Sequence, residues 1–203
     1  MRTRSRTCAA VLAALLVLAG CSGGSGVPGP GPARIDVDTP ELREAKVDAG
    51  VEPCVPGRGN PVEGGLPAVT LPCFGGGREV DLSTLRGPMV VNLWASWCAP
   101  CRKELPVLQS FHEQYGEQVP LLGIDWQDSQ PTGAMQLVED SGVTYPLLAD
   151  PQNLLEGAAP FRSIGLPMTA YVDETGRVSL VAGEIESLDE LRREVRDRLG
   201  IDL

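Results

Sequence analysis

Cys98 and Cys101 stand three positions apart in Trp97-Cys98-Ala99-Pro100-Cys101, and two thiols at that spacing can be joined and parted as one two-electron couple. In the first turn of a helix, positions i and i+3 face the same way, so a disulfide closes with little backbone movement. Cys98 falls at or just before that turn, where unpaired N–H groups and the positive end of the helix dipole stabilise a thiolate. Cys98 is therefore the expected attacking sulfur. Cys101, one turn further and on the apolar side, is expected to be shielded and to resolve a mixed disulfide by attacking Cys98. Pro100 suits an early helical position because the N–H it lacks has no intrahelical partner there. Trp97 is expected on a rim over Cys98, so that Trp97, Ala99 and Pro100 meet the substrate.

Such a pair needs a strand to deliver it and a helix to hold it. Met89-Val90-Val91-Asn92-Leu93-Trp94 is a short, nearly continuous apolar run, as expected of a central strand covered on both faces, with Trp94 in the core. Beyond the pair, Cys101, Leu105, Leu108, Phe111 and Tyr115 recur at helical spacing and predict one buried stripe. Pro106 lies inside that helix, where it removes a backbone hydrogen bond and predicts a kink. Val119 to Asp125 reads as a second core strand, and Pro131 to Asp140 as a helix with proline in its first turn. Thr169 to Val172 and Val178 to Val181 pair around Asp173-Glu174-Thr175-Gly176. A last helix is marked by Ser187 with Glu190 as a capping box and by Leu188, Leu191, Val195 and Leu199. The order is α/β.

The run from Val91 to Pro106, Val-Asn-Leu-Trp-Ala-Ser-Trp-Cys-Ala-Pro-Cys-Arg-Lys-Glu-Leu-Pro, resembles the active-site stretch of TlpA/ResA-type thioredoxin-like proteins. Ile164-Gly165-Leu166-Pro167-Met168-Thr169 resembles the family's cis-proline loop and the strand after it, and the similarity covers about residues 61–199. It implies a thioredoxin-like fold with an N-terminal β-hairpin and a TlpA-type central insertion, the latter a strand at Tyr145 to Leu148 and a helix near Asp150 to Gly157. It also implies a cis bond at Leu166-Pro167, with the Leu166 backbone beside Cys98 to pair with an extended substrate chain. In the ResA-like subgroup a carboxylate three residues after the second cysteine is implicated in tuning the pair. That place holds Glu104, the implied proton acceptor for Cys101. Thioredoxins proper carry a buried aspartate in the central strand, whereas Asn92 stands here and cannot accept a proton; weight shifts to Glu104.

Arg2, Arg4 and Arg6 precede an apolar run from Cys8 to Ala19, shorter than the roughly 20 residues that span a bilayer, which is a signal-peptide pattern over residues 1–20. Leu18-Ala19-Gly20-Cys21 resembles a bacterial lipobox, implying cleavage before Cys21 and diacylglycerol on its sulfur. Residues 22–32 are rich in Ser, Gly and Pro and read as a tether. The stretch to about residue 65 is ill-patterned and expected to be loosely structured, so residues 21–60 form a flexible link and 61–203 the domain. The formal net charge is −10, and removing three arginines makes the remainder more acidic. An acidic chain without basic clusters argues against nucleic acid and against adhesion to anionic lipid by charge, so acyl chains on Cys21 would hold it at the extracytoplasmic face of the membrane.

With Cys8 and Cys21 set aside, four cysteines remain. An exported protein with an even number favours disulfides, and pairing Cys98 with Cys101 leaves Cys54 to join Cys73. The expected bridge is structural, because neither cysteine has a helix-start motif; relay of electrons to Cys98 is the alternative. A zinc site lacks two closely spaced pairs, covalent haem lacks a histidine after Cys101, where Arg102 stands, and the single histidine, His112, is expected at the surface without a nucleophile to serve. Gly75-Gly76-Gly77 fits a hairpin turn rather than a phosphate loop. No cofactor and no metal is expected. The reading is thus a thiol-disulfide oxidoreductase acting on protein thiols or disulfides. As a reductant it would keep apocytochrome c cysteines reduced and be recharged by a membrane thiol donor. As an oxidant it would serve exported proteins and pass electrons to a membrane acceptor. A redox sensor or Cu(I) chaperone on the same fold is the other class, and Met168 is the one methionine placed near the sulfurs.

Overall fold

The computed structural model describes residues 35–203; the signal segment, Cys21 and the tether up to residue 34 lie outside these residues. Helix α1, Pro40–Asp48, comes first, capped by Thr39, whose side chain accepts from the Leu42 N–H. It corrects the expectation of a loosely structured lead-in for residues 40–48, while residues 51–62 carry no helix or strand. Leu42 and Lys46 are buried, because α1 packs on α3, Pro131–Asp140. Next come β1, Thr70–Leu71, and β2, Val80–Asp81, an antiparallel pair that forms the expected hairpin, with Leu82–Thr84 turning into a 3-10 helix under the Asp81 cap.

The main sheet holds β3, Met89–Trp94; β4, Leu121–Trp126; β5, Leu147–Asp150; β6, Met168–Val172; and β7, Val178–Ala182. Its order is β5-β4-β3-β6-β7, with β3, β4 and β5 parallel and β6 and β7 antiparallel to their neighbours. Every residue of β3, β4, β5 and β6 is buried, as strands covered on both faces must be. Alternate side chains feed two cores. Val90, Trp94, Leu121, Leu147 and Tyr171 join residues of α1, α3, α2 (Ala99–Tyr115) and α4 (Leu188–Leu199). Val91, Leu93, Ile124, Leu148 and Ala170 meet the hairpin residues Leu71 and Val80 together with Leu155 and Phe161 on the opposite face.

This is the expected thioredoxin-like arrangement, with one correction in the insertion. β5 forms, but residues 151–157 are turns and not a helix. The Asp150 carboxylate accepts from the Leu154 and Leu155 N–H groups at 2.8 and 3.0 Å, and Asn153 takes φ 60°, which together satisfy the backbone in a turn. Helix α2 continues through Pro106, and its buried face is Cys101, Glu104, Leu105, Leu108, Gln109 and Phe111. Helix α4 opens on Ser187, whose Oγ accepts from the Glu190 N–H, and closes on Gly200 at φ 72°, a left-handed cap that glycine adopts without a Cβ clash.

His112 is also placed differently from expectation. Its side chain is only 15% exposed, its ring meets Tyr145 edge-on at 5.8 Å, and its Nε2 lies 3.2 Å from Glu52 Oε1. The segment after α1 brings that carboxylate across 60 residues, held by the Glu52 N–H donating to the Thr144 carbonyl.

Candidate active site around the Cys98–Cys101 disulfide

β3 ends at Trp94, a tight turn follows in which the Cys98 N–H donates to the Ala95 carbonyl, and α2 starts at Ala99. Cys98 is the N-cap residue, extended at φ −84° and ψ 108°, and its Sγ accepts from the Cys101 N–H at 3.2 Å. The sulfur thus occupies the place where a capping oxygen usually sits, facing unpaired N–H groups and the positive end of the dipole. Pro100 occupies the first turn. Cys98 and Cys101 are bonded, with Cα atoms 5.3 Å apart. Cys101 is fully buried and Cys98 is 5% exposed, so the sulfur at the helix start is the more accessible of the two but is not the openly solvent-facing group its position suggests.

Side chains in and around the motif brace the turn. Asp128 accepts from the Ser96 N–H at 2.7 Å through one oxygen and from the Gln130 N–H at 2.9 Å through the other. Arg102 donates to the Ser96 carbonyl at 3.0 Å, and the Trp97 indole donates to the Gln127 carbonyl at 3.2 Å. Trp97 is 54% exposed and leans on Trp126 with ring centroids 6.5 Å apart, which leaves a broad apolar face beside the disulfide. Trp94 is fully buried. Leu166 and Pro167 are joined by a cis bond; Leu166 is partly buried and packs against the core cluster that contains Cys98 and Cys101, and the Pro167 carbonyl is engaged by the Gly183 N–H.

Glu104, one helical turn after Cys101, is fully buried. Its Oε1 accepts from Asn92 Nδ2 at 2.8 Å and its Oε2 from the Ile185 N–H at 3.1 Å. Burial raises its pKa from 4.5 to about 7, opposed by the two hydrogen bonds and helped by Glu184. The group is therefore balanced between acid and carboxylate near neutral pH. Asn92 and Thr169 are direct partners across β3 and β6, and the Asn92 amide also reaches Thr169 Oγ1 at 3.4 Å, so the carboxyl is held by a polar layer on the α2 face of the sheet. Asp125, paired across the sheet with Trp94, is a second buried carboxyl whose pKa is raised by burial and then by Asp128.

The structure brings Trp97, Cys98, Ala99, Pro100, Cys101 and Glu104 together on one strand-turn-helix unit. Cys54 and Cys73 form a separate disulfide at the edge of the sheet, where Cys73 bridges to Leu148. Among the described residues no three His, Cys, Asp or Glu side chains converge to hold a metal ion. Sequence reasoning missed Asp125, Asp128 and Thr169. Asp125 carried a signal, an acid inside an otherwise apolar strand, but Asp128 lies in a loop and is defined only by the backbone it reaches.

The AhpC/TSA family model matches residues 62–181. Among curated relatives, the thiol:disulfide interchange protein HelX of Rhodobacter capsulatus is 34% identical over 59% of this chain and 66% of its own length. Thiol-disulfide oxidoreductase ResA of Bacillus thuringiensis is 29% identical over 50% of this chain and 58% of its own. The chain thus spans less than two thirds of either relative. The structure of MTB dsbF, in mixed oxidised and reduced forms, superposes with a TM-score of 0.57 at 29% identity, covering 64% of this chain and 94% of that one.

Proposed function

Because the chain belongs to the AhpC/TSA family and is similar to thiol-disulfide oxidoreductase ResA and thiol:disulfide interchange protein HelX, we propose that it exchanges disulfides with cysteines of other proteins through Cys98 and Cys101. The observation that carries this reading is the Cys98 sulfur at the α2 N-cap, bonded to a fully buried Cys101. In the reducing direction the Cys98 thiolate attacks a substrate disulfide, giving a Cys98-substrate disulfide and releasing one substrate thiolate. The Glu104 carboxylate then takes the proton of the Cys101 thiol, and the Cys101 thiolate attacks Cys98 Sγ, releasing the second substrate thiolate and reforming the disulfide seen here. The oxidising direction is the same sequence reversed. A proton acceptor with a pKa of about 7 suits both directions near neutral pH, since it is neither fully loaded nor too weak a base.

Trp97, Ala99, Pro100 and Leu166 form the surface that receives the substrate chain, with Trp97 supplying an exposed apolar face and the Leu166-Pro167 backbone offering an extended edge. The chain acts outside the cytoplasm, anchored through lipid on Cys21; Leu18-Ala19-Gly20-Cys21 after an apolar run supports this. Mass analysis of the mature amino terminus tests it, and a terminus other than diacylglyceryl-Cys21 contradicts it. Apocytochrome c is the substrate of a reducing role, and exported proteins are those of an oxidising one.

Turnover of insulin disulfides by the native chain and by Cys98→Ser tests the activity, and unchanged turnover in the variant refutes it. The reduction potential of the Cys98/Cys101 pair fixes the direction: about −270 mV makes it a reductant and about −120 mV an oxidant.

A further inference from the structure

Lys46 is a buried ammonium without a carboxylate. It is 6% exposed, its Nζ lies 2.9 Å from Cys73 Sγ and donates to the Gly76 carbonyl at 2.9 Å, and among the described residues no acidic oxygen lies within 4.0 Å of it. Burying a cation beside a neutral disulfide is unfavourable, because a bonded sulfur is a weak acceptor and carries no charge. Burial accordingly pulls the lysine pKa down, with Asp38 pushing the other way. One change would supply the missing counter-ion in place: cleavage of Cys54–Cys73 with the charge left on Cys73.

We propose that Cys54–Cys73 is a second redox-active disulfide, exchanging with external thiols, in which Lys46 makes Cys73 the leaving thiolate and Cys54 the sulfur that is attacked. The surroundings favour this direction of cleavage. Residues 49–57, which carry Cys54, are without helix or strand; Cys54 is 5% exposed, with its Sγ 3.1 Å from the Leu147 carbonyl, against 1% for Cys73, which is fixed by its bridge to Leu148 and by the Phe74 N–H donating to the Leu147 carbonyl. An open pocket of about 380 Å³ is lined by Lys46, Val51, Pro53, Gly75 and Gly76 among others, with Pro53 directly before Cys54 in the chain. The glycines keep it in shape. A Cβ on Gly75 would stand 2.9 Å from the Lys46 Cβ, and one on Gly77 3.2 Å from Cys73 Sγ, so larger residues there would crowd the lysine stem and the sulfur.

The step balances as an ordinary exchange. An external thiolate forms a bond to Cys54 Sγ, the Cys54–Cys73 bond breaks, and its electron pair stays on Cys73 as a thiolate facing Lys46. A second thiolate, from the same external dithiol, attacks the external sulfur and releases Cys54; the dithiol is oxidised by two electrons and the protein disulfide reduced by two. Neither Cys98 nor Cys101 takes part, so the inference stands or falls apart from the activity proposed for them.

The test uses the full chain carrying Cys98→Ser and Cys101→Ser, with and without Lys46→Met, which keeps the length of the lysine stem and removes its charge. Each is equilibrated in mixtures of reduced and oxidised dithiothreitol, alkylated and peptide-mapped cysteine by cysteine. The expected result is reversible reduction of Cys54–Cys73 with Lys46 present, and an equilibrium constant for reduction at least about threefold smaller with methionine, since the thiolate loses its counter-ion. A smaller change, or one of opposite sign, overturns the proposal. Brief exposure of the Lys46-bearing chain to glutathione followed by alkylation gives an independent reading. Glutathione on Cys54 with alkylated Cys73 is expected to predominate; equal labelling, the reverse pattern or no adduct overturns it.

Discussion

Replacing Glu104 by glutamine removes the titrating group behind the sulfurs while keeping its shape. In the folded chain this carboxyl has a pKa of about 7 against 4.5 when unperturbed, and burial is the chief cause. Each unit corresponds to about 1.4 kcal/mol, so ionising Glu104 inside the protein costs on the order of 3 kcal/mol. The sign follows from proton binding: between pH 4.5 and 7 the folded state holds a proton that the unfolded state has released. Stability from this group is therefore complete below the lower value, falls as pH rises through the window, and is flat above it. Glutamine has no such slope. It can also be accommodated, because Asn92 Oδ1 is buried without a partner and rotation of the Asn92 amide offers that oxygen to the new side-chain amide. Urea unfolding of the oxidised chain from pH 5 to pH 8 measures the difference. The variant should match or fall slightly below the native chain at pH 5 and exceed it by about 2 kcal/mol at pH 8, after allowing for weaker hydrogen bonds. Exchange with protein substrates should slow in the same variant, since in the proposed mechanism Cys101 loses its proton acceptor. Parallel stability curves for the two proteins refute the reasoning.

Trp97→Ala removes an exposed indole that caps the site, so kcat/KM for a protein disulfide should fall about tenfold while exchange with dithiothreitol and the unfolding midpoint stay close to native; equal losses with both substrates would show that Trp97 serves the fold or the chemistry rather than recognition. Asp128→Ala leaves the Ser96 and Gln130 N–H groups without their acceptor and should destabilise by about 2 kcal/mol, measured by denaturant unfolding, with no change of this size if solvent replaces the carboxylate freely. Serine at both Cys54 and Cys73 opens a tie spanning 19 residues and should lower stability by about 3 kcal/mol on the chain-entropy account, against no shift if the two segments hold together without it.

The strand-turn-helix unit was legible because each level of the sequence agreed with the next. An apolar run fixed β3, cysteine at the cap and proline in the first turn fixed the start of α2, and the apolar stripe fixed its buried face. Glu104 was legible in position; its burial depends on Asn92 and Ile185, which lie on two other elements. Helix α1 escaped because Pro-Glu-Leu-Arg-Glu-Ala-Lys-Val-Asp is too polar to show an apolar stripe, although Thr39 followed by Pro40 is a readable helix start. Its buried face is completed by tertiary contacts, Leu42 in the core and Lys46 against Cys73. The missing helix after β5 has a local cause, since the Asp150 carboxylate takes the N–H groups of Leu154 and Leu155 and holds the chain in a turn. His112 was misplaced because Glu52, its partner, is distant in sequence and reaches it through the chain that follows α1.

The central claim is that Cys98 attacks and Cys101 releases. Cys101→Ser leaves the first step intact and blocks the second, so incubating that variant with a disulfide-bonded protein and mapping the products by mass reads the claim directly. A stable disulfide between the substrate and Cys98 is the predicted result. Its absence, or a substrate bound to another cysteine of the chain, contradicts the account.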